Sequence, residues 1–556
     1  MFDLDGDAAN SAQVVSSPSR FPDSVTTCLT IPSHLINSQG TEKDRQTSYN
    51  AAFLTDIDSN NSYSVPWLLN AVRGKPLLVS LVGLPGRGKT IIAHKLHRFL
   101  LWNKIRCEVF HLSYYRRQMA PDFPEHVINQ PLKSNEEPLR AECFKMLFED
   151  IDLFFSEGLK HVACMNDTGI AGGSSTSTLK EFGGKTSVGS EDMPFLQQVR
   201  GNVAIFDFAN SRKSYRRELV EFCHSRDYDL CFLESITDDL NLIQLYIAGI
   251  EQSNPDYLNM SREAAVVKFE NHFRDYADSY EQLDEQSEND LAFLKIFDGG
   301  VRFRVHNMNG YMQSKMVYYL MSLHFARQPI YITRHGEALN NTLGIVGGDS
   351  ELTARGVKYA DAFADFINNL PEMKQFQESG SCCDGPGLQV WASVLKRAQQ
   401  TAARLKSPVL CWNALRELDA GVFDGKTYDF IEAKFPQEAA NRRFDKFKYR
   451  YPDGESYDDL VTRLEPVIME LERTRSTIVI VCHQAVMRCL MAYLLNRSFD
   501  ELPYLDVPLH HLFKITPTAY GYEAEDINLN VPSNEYTNSR ERRKKSSVLG
   551  KPANFL

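Results

Sequence analysis

The sequence predicts an α/β protein built from two successive sheet domains. Three observations carry this. Apolar strand-like runs alternate with helical spacing from residue 76 to 325, and the alternation restarts at Pro329. The first strand of the first block runs straight into a glycine-rich turn, GLPGRGKT (83–90). The first strand of the second block runs straight into Arg334-His335-Gly336-Glu337. Residues that do chemistry therefore stand at the ends of strands in both blocks, where open parallel sheets bind ligands.

In the first block, PLLVSLVGL (76–84) reads as a buried strand. TIIAHKLHRFLLW (90–102) has helical spacing, with Ile91, Leu96 and Leu100 on one face. Further strands are expected at CEVFHL (107–112), NVAIFDF (202–208) and DLCFLES (229–235), with a helix over about 137–157 and another at YMQSKMVYYLMSLHF (311–325). In the second block the strands are PIYIT (329–333), LQVWAS (388–393), STIVIVC (476–482) and HLFKI (511–515). A domain boundary follows near 326–328. Residues 1–65 are rich in Ser, Asn, Asp and Thr and are expected to be a disordered leader. Residues 166–193, rich in Gly, Ser and Thr, read as a flexible insertion in a first domain spanning 66–327. The second domain is expected to span 328–521, with a charged tail over 522–556.

A chain of 556 residues is too long for one core. Net charge is -11, which argues against general nucleic-acid affinity. No apolar run reaches the length of a membrane span. The 11 cysteines are scattered without a CxxC pair, so reduced thiols and a cytoplasmic location are expected.

The first glycine turn fits G-x-x-x-x-G-K-[ST] at every fixed position. Gly83, Gly86 and Gly88 let backbone N–H groups turn toward one centre, and the following helix aims its positive end there. Lys89 would reach the terminal phosphates of ATP, and Thr90 would hold Mg²⁺. The strand before it and the helix after it make a chance match remote. This predicts a P-loop NTPase-like parallel sheet with helices on both faces. Asp207, at the end of VAIFD (203–207), is a candidate for the metal or the attacking hydroxyl. Taken alone it would more often be a turn or cap residue.

In the second block, His335 beside Arg334 suits phosphoryl transfer. A neutral imidazole can attack phosphorus, and an arginine can neutralise the oxygens. Lys396-Arg397 follows LQVWAS, Glu417 stands in LRELDAG as a candidate proton donor, and His483 follows STIVIVC. Each alone has a bland structural reading, but the set in this order defines a phosphohydrolase site without a metal.

The two constellations, in this order, resemble the bifunctional 6-phosphofructo-2-kinase/fructose-2,6-bisphosphatase family. Runs such as YRYPDGESYDDLVTRLEPVIMELER (449–473) and VCHQAVMRCLMAYLLN (481–496) add to the likeness, which extends from about Pro66 to Gly521. Phosphoglycerate mutases look similar around RHGE but lack the fused P-loop domain. The resemblance implies a histidine-phosphatase (phosphoglycerate-mutase-like) C-terminal domain. It implies that His335 is the nucleophile, that Arg334, Asn341, Arg397 and His483 bind the phosphoryl group, and that Glu417 protonates the leaving oxygen. Tyr428, Arg442, Lys446, Tyr457, Gln484 and Arg488 would bind the sugar and its 6-phosphate. The implied partners are fructose 2,6-bisphosphate, fructose 6-phosphate and ATP, with a homodimer as the family's common state.

The kinase half departs from the family. Ala209 stands where the family has a threonine, Glu251 where it has a lysine, and Asn271 with His272 where it has a basic pair, while Tyr276 is kept. Loss of a cation from a phosphoryl-transfer site costs orders of magnitude in rate. The main expectation is therefore a fructose-2,6-bisphosphatase whose kinase is weak or lost. The alternatives are a fully bifunctional enzyme, or a phosphatase regulated by nucleotide on a non-catalytic P-loop domain. Ser546 and Ser547, after the basic run RERRKK, suit a basic-directed kinase or an import signal, although a solvated tail is the plainer reading.

Overall fold

The computed structural model describes residues 75–119, 137–166, 202–240, 242–244, 246–247, 262–323, 328–371, 388–518 and 521–534. The expectations for the leader, for residues 167–193 of the insertion, for Glu251 and for Ser546 and Ser547 lie outside them.

Two six-stranded sheets organise the chain. In the first, β1 (Leu77–Val82) is buried at every position, as a central strand covered on both faces must be. It pairs in parallel with β3 (Asn202–Asp207) and β4 (Asp229–Ile236), and β2 (Arg106–His111) pairs in parallel with β3. Beyond β4 lie β5 (Phe293–Phe297), parallel, and β6 (Arg302–His306), antiparallel, giving the order β2-β3-β1-β4-β5-β6. The helices α1 (Lys89–Trp102), α2 (Leu112–Met119), α3 (Glu137–Asn166), α4 (Lys213–Ser225), α5 (Arg262–Ala277) and α6 (Tyr311–Ser322) belong to this half.

In the second sheet, β7 (Ile330–Arg334), β8 (Leu388–Ser393), β9 (Val409–Trp412) and β10 (Thr477–Cys482) are parallel. β11 (His511–Pro517) and β12 (Tyr522–Asn528) run antiparallel, giving β12-β11-β7-β10-β8-β9. The helices that bear on the site are α7 (Leu339–Leu343), α8 (Ala354–Asn368), α9 (Lys396–Ala402), α10 (Tyr428–Lys434), α11 (Pro436–Phe444), α12 (Tyr457–Arg463), α13 (Glu465–Arg473) and α14 (Gln484–Leu494).

The parallel sheet expected for the first domain is present in β1 to β5, with β6 added antiparallel at its edge. Strand β12 occupies residues assigned to the tail, and its ladder with β11 extends the second domain past 521. Helix α3 runs to Asn166, beyond the expected end near 157. No helix among the described residues is long and apolar enough to cross a membrane.

The two halves share their packing. Trp102, the last residue of α1, belongs to the core formed by α12, α13, α14 and the second sheet. Met469 of α13 belongs to the core under the first sheet. Beside them Glu472, nearly fully buried, receives Lys95 Nζ, Arg98 Nη2 (2.9 Å) and the Tyr493 hydroxyl (2.8 Å). Burial pushes the Glu472 carboxyl up, but Lys95 and Arg98 outweigh it and hold it at about 2.

Candidate functional site

Two sites form at strand C-terminal ends. In the first sheet, the glycine turn follows β1, whose parallel neighbours are β3 and β4. Gly83 and Gly86 have φ of 139° and 68°. A Cβ on Gly83 would lie 2.6 Å from the Ser235 carbonyl, and one on Gly86 would lie 2.5 Å from the Phe269 ring, so both must lack side chains. Gly88, at φ 84°, caps α1. Lys89 Nζ donates to the Leu84 carbonyl at 2.8 Å. Asp207 ends β3, 3.1 Å from His111 Nδ1 on β2. Burial raises the Asp207 carboxyl, but His111, Thr90 and Lys89 together bring it below the usual range, so it stays an anion. A glycine cradle, a lysine, a hydroxyl and an ionised carboxylate fit a nucleotide and its magnesium ion.

Ala209 and Asn210 support this loop. The Ala209 carbonyl accepts from Gly83 N–H at 3.0 Å, and Asn210 Nδ2 bonds Ser80 Oγ (2.7 Å) and the Leu81 carbonyl (3.0 Å). The Ala209 methyl is buried. Asn271 is exposed, and the side chain of His272 lies outside the described residues.

In the second sheet, strand register sets the chemistry. Cys482 pairs with Arg334, and Val481 pairs with both Thr333 and Ala392. His335, His483 and Ser393 therefore emerge side by side, with the His335 and His483 ring centroids 5.1 Å apart. His335 Nδ1 lies 2.7 Å from the Gly336 carbonyl. A carbonyl only accepts, so Nδ1 carries the hydrogen and Nε2 keeps its lone pair. Burial, then Arg397 and Arg334, hold His335 well below the ordinary histidine range; His483 is held down by burial, Arg397, His335 and Arg334. Both rings are neutral at pH 7.

Arg334, His335, Asn341, Arg397, Glu417, Tyr428, Arg442, Lys446, Tyr457, Gln484 and Arg488 line one cavity of about 180 Å³, and the His483 ring is the neighbour of His335. Asn341 Oδ1 accepts from Ala338 N–H at 2.9 Å, which turns its NH₂ group to donor work. Arg397 Nη1 donates to the Gly348 carbonyl at 2.7 Å. Glu417 accepts from the backbone N–H groups of Leu418, Gln484 and Ala485 at 3.0–3.2 Å, and so is fixed at the N-terminus of α14. In the same cavity Arg442 lies over the Tyr428 ring, and Lys446 lies over Tyr504. Arg488 donates to the Tyr457 hydroxyl at 3.1 Å. Burial pushes that phenol up to about 12 against the pull of Arg488, so it is a neutral hydroxyl. The cavity thus carries a neutral imidazole with two arginines, and three further cations with phenols.

Several supporting residues were not singled out as site residues from sequence. Glu337 faces away from the cavity, accepting from Thr353 Oγ1 (2.6 Å) and Arg355 Nε (3.1 Å). Arg463 gathers the carbonyls of Ala414 and Arg416 at 2.8 and 2.9 Å and so holds the Glu417 loop. Ser393 Oγ touches His483 Nε2 at 2.7 Å. Glu337 left a sequence signal as the end of the RHGE run, and Ser393 as the last residue of a strand, whereas Arg463 left none.

The fold and these two sites define a P-loop phosphotransferase domain joined to a histidine phosphatase. The model of the 6-phosphofructo-2-kinase family matches residues 67–173 and 190–327, and that of the histidine phosphatase superfamily (branch 1) matches 330–530. The 6-phosphofructo-2-kinase/fructose-2,6-bisphosphatase of Gallus gallus is 38% identical over 481 residues, covering 86% of this chain and 90% of that protein. The human 6-phosphofructo-2-kinase/fructose-2,6-bisphosphatase 1 is 38% identical over 493 residues, covering 89% and 92%. The Caenorhabditis elegans protein of the same description is 38% identical over 475 residues, covering 84% and 92%. The chain belongs to the bifunctional 6-phosphofructo-2-kinase/fructose-2,6-bisphosphatase family.

Proposed function

We propose that the chain hydrolyses the 2-phosphate of fructose 2,6-bisphosphate through a phosphohistidine on His335. The observation that carries this is the His335 tautomer: Nδ1–H is engaged by the Gly336 carbonyl, and Nε2 offers a lone pair into a cavity with Arg334 and Arg397. Nε2 attacks phosphorus as the bond to the C2 oxygen breaks, and Glu417 hands that oxygen a proton. Water then attacks the phosphohistidine, returns a proton to Glu417, and inorganic phosphate leaves. Arg334, Arg397, Asn341 and His483 hold the transferring oxygens. Tyr428, Arg442, Lys446, Tyr457, Gln484 and Arg488 hold the sugar and its 6-phosphate, where planar guanidinium groups suit a dianion.

The N-terminal domain binds ATP on Gly83, Gly86, Gly88 and Lys89, with Thr90 and Asp207 toward Mg²⁺. The comparison favours a chain that keeps both activities over one whose kinase is lost, since the kinase family model matches residues 67–173 and 190–327. The ionised Asp207 beside Thr90 supports the same reading. The departures at Ala209, Glu251, Asn271 and His272 then set the rate of the kinase.

One preparation tests both. His335→Ala lowers bisphosphatase kcat at least about 1,000-fold, and this variant, unable to consume its product, accumulates fructose 2,6-bisphosphate from ATP and fructose 6-phosphate. Hydrolysis surviving His335→Ala refutes the phosphatase reading. Absence of synthesis in that variant, with the phosphatase intact in the parent, restores the reading in which the kinase is lost.

A further inference from the structure

We infer that Ser393 is a positioning residue of the phosphatase, acting by fixing the tautomer of His483 so that Nδ1–H faces the phosphoryl group. This rests on the phosphohistidine reading of the His335 site. Ser393 ends β8 and is fully buried, as is His483. Its hydroxyl oxygen lies 2.7 Å from His483 Nε2 and accepts the backbone N–H of Leu395 at 3.3 Å.

Two hydrogen placements are open to this pair. If Nε2 carried the ring hydrogen it would donate to Ser393, and the serine's own hydrogen would need a second acceptor. Among the described residues the Ser393 hydroxyl has hydrogen bonds only with His483 and Leu395, and Leu395 supplies a donor. A buried hydroxyl hydrogen would then be stranded. With the serine donating to Nε2, every hydrogen and lone pair used at Ser393 is matched, and the ring hydrogen falls on Nδ1. That atom is buried and has no hydrogen-bond partner among the described residues.

Neighbouring His335 keeps its nucleophilic nitrogen in this site, so an oxygen of the transferring phosphoryl group completes His483 Nδ1–H. The opposite tautomer would set a nitrogen lone pair against that oxygen and repel it. Ser393 therefore acts on the reaction through His483 without touching the substrate. Its counterpart at the nucleophile is the Gly336 carbonyl, which fixes His335 in the same way.

The test combines ¹⁵N-histidine NMR of the full chain with kinetics on fructose 2,6-bisphosphate. His483 is assigned by difference with His483→Asn. In the parent protein His483 is expected as the Nδ1–H tautomer. In Ser393→Ala it becomes a mixture, kcat falls about 10- to 100-fold, KM changes less than about threefold, and Ser393→Thr restores part of the loss. Finding the Nε2–H tautomer in the parent overturns the inference even if Ser393→Ala does not fold. A folded Ser393→Ala with parental kcat overturns it as well. If the parent does not hydrolyse fructose 2,6-bisphosphate, the phosphatase reading fails, and the tautomer measurement still decides the placement of the hydrogen.

Discussion

His335 and His483 sit where burial and two arginines oppose any positive charge. An ordinary histidine titrates near 6.5, and a nucleophile with that value would lose activity as the pH falls through it. Lowering the value moves the loss to lower pH, because the neutral ring persists further into acid. We predict that ¹⁵N-histidine NMR finds both rings still neutral as the pH falls through 6.5. Protonation of either ring centred near 6.5 would contradict the neutral pair. The identities of His335, Arg397, Glu417 and His483 were legible because each follows an apolar strand or a recognisable run. The cause of their neutrality was not, since it depends on how three strand ends align across 150 residues of chain.

At the scale of elements, the RHGE turn is held by a close contact with α8. The Glu337 carbonyl accepts Thr353 N–H at 2.8 Å, and a Cβ on Gly356 would come within 2.1 Å of that carbonyl oxygen. In a free helix, replacing Gly by Ala gains about 0.5–1 kcal/mol. Here the clash with fixed backbone outweighs it. Gly356→Ala should lower the melting temperature and reduce phosphatase kcat at least about tenfold by moving the residue next but one to His335. A variant more stable than the parent would show that the turn can yield. Strands with long apolar runs were readable, whereas β6 and β9 are short, and these two and β12 are half exposed and defined by their neighbours. β5 was hidden by Lys295 in its middle, a buried charge answered by Glu234 at 3.1 Å and by the Leu283 carbonyl, neither of which pattern can reveal.

Across the whole molecule, the Glu472 cluster ties the helix of the nucleotide loop to the helices of the phosphatase. Its carboxyl falls from an ordinary 4.5 to about 2 on folding, so its contribution is complete above about pH 4.5 and lost as the pH falls toward 2. That difference corresponds to on the order of 3 kcal/mol. Glu472→Gln leaves Lys95 and Arg98 facing a neutral group, and removing one partner of such a buried pair costs about 3–5 kcal/mol. Chemical denaturation at pH 7 should show a loss of that size, and the variant should lose less further stability than the parent between pH 4.5 and pH 2. Equal acid sensitivity would place the titrating group elsewhere. Nothing in the sequence announced this cluster, in which Glu472 lies more than 370 residues from Lys95 and Arg98.

Trp102 in one core and Met469 in the other also bear on how the protein can be divided. The natural place to cut is the join near residue 327, where each half keeps its own sheet. Each fragment would nevertheless carry an indole or a thioether shaped for a socket on the other, beside unmatched charges of opposite sign. Such fragments are complementary surfaces, suited to reassembling with each other when mixed and ill suited to being handled alone.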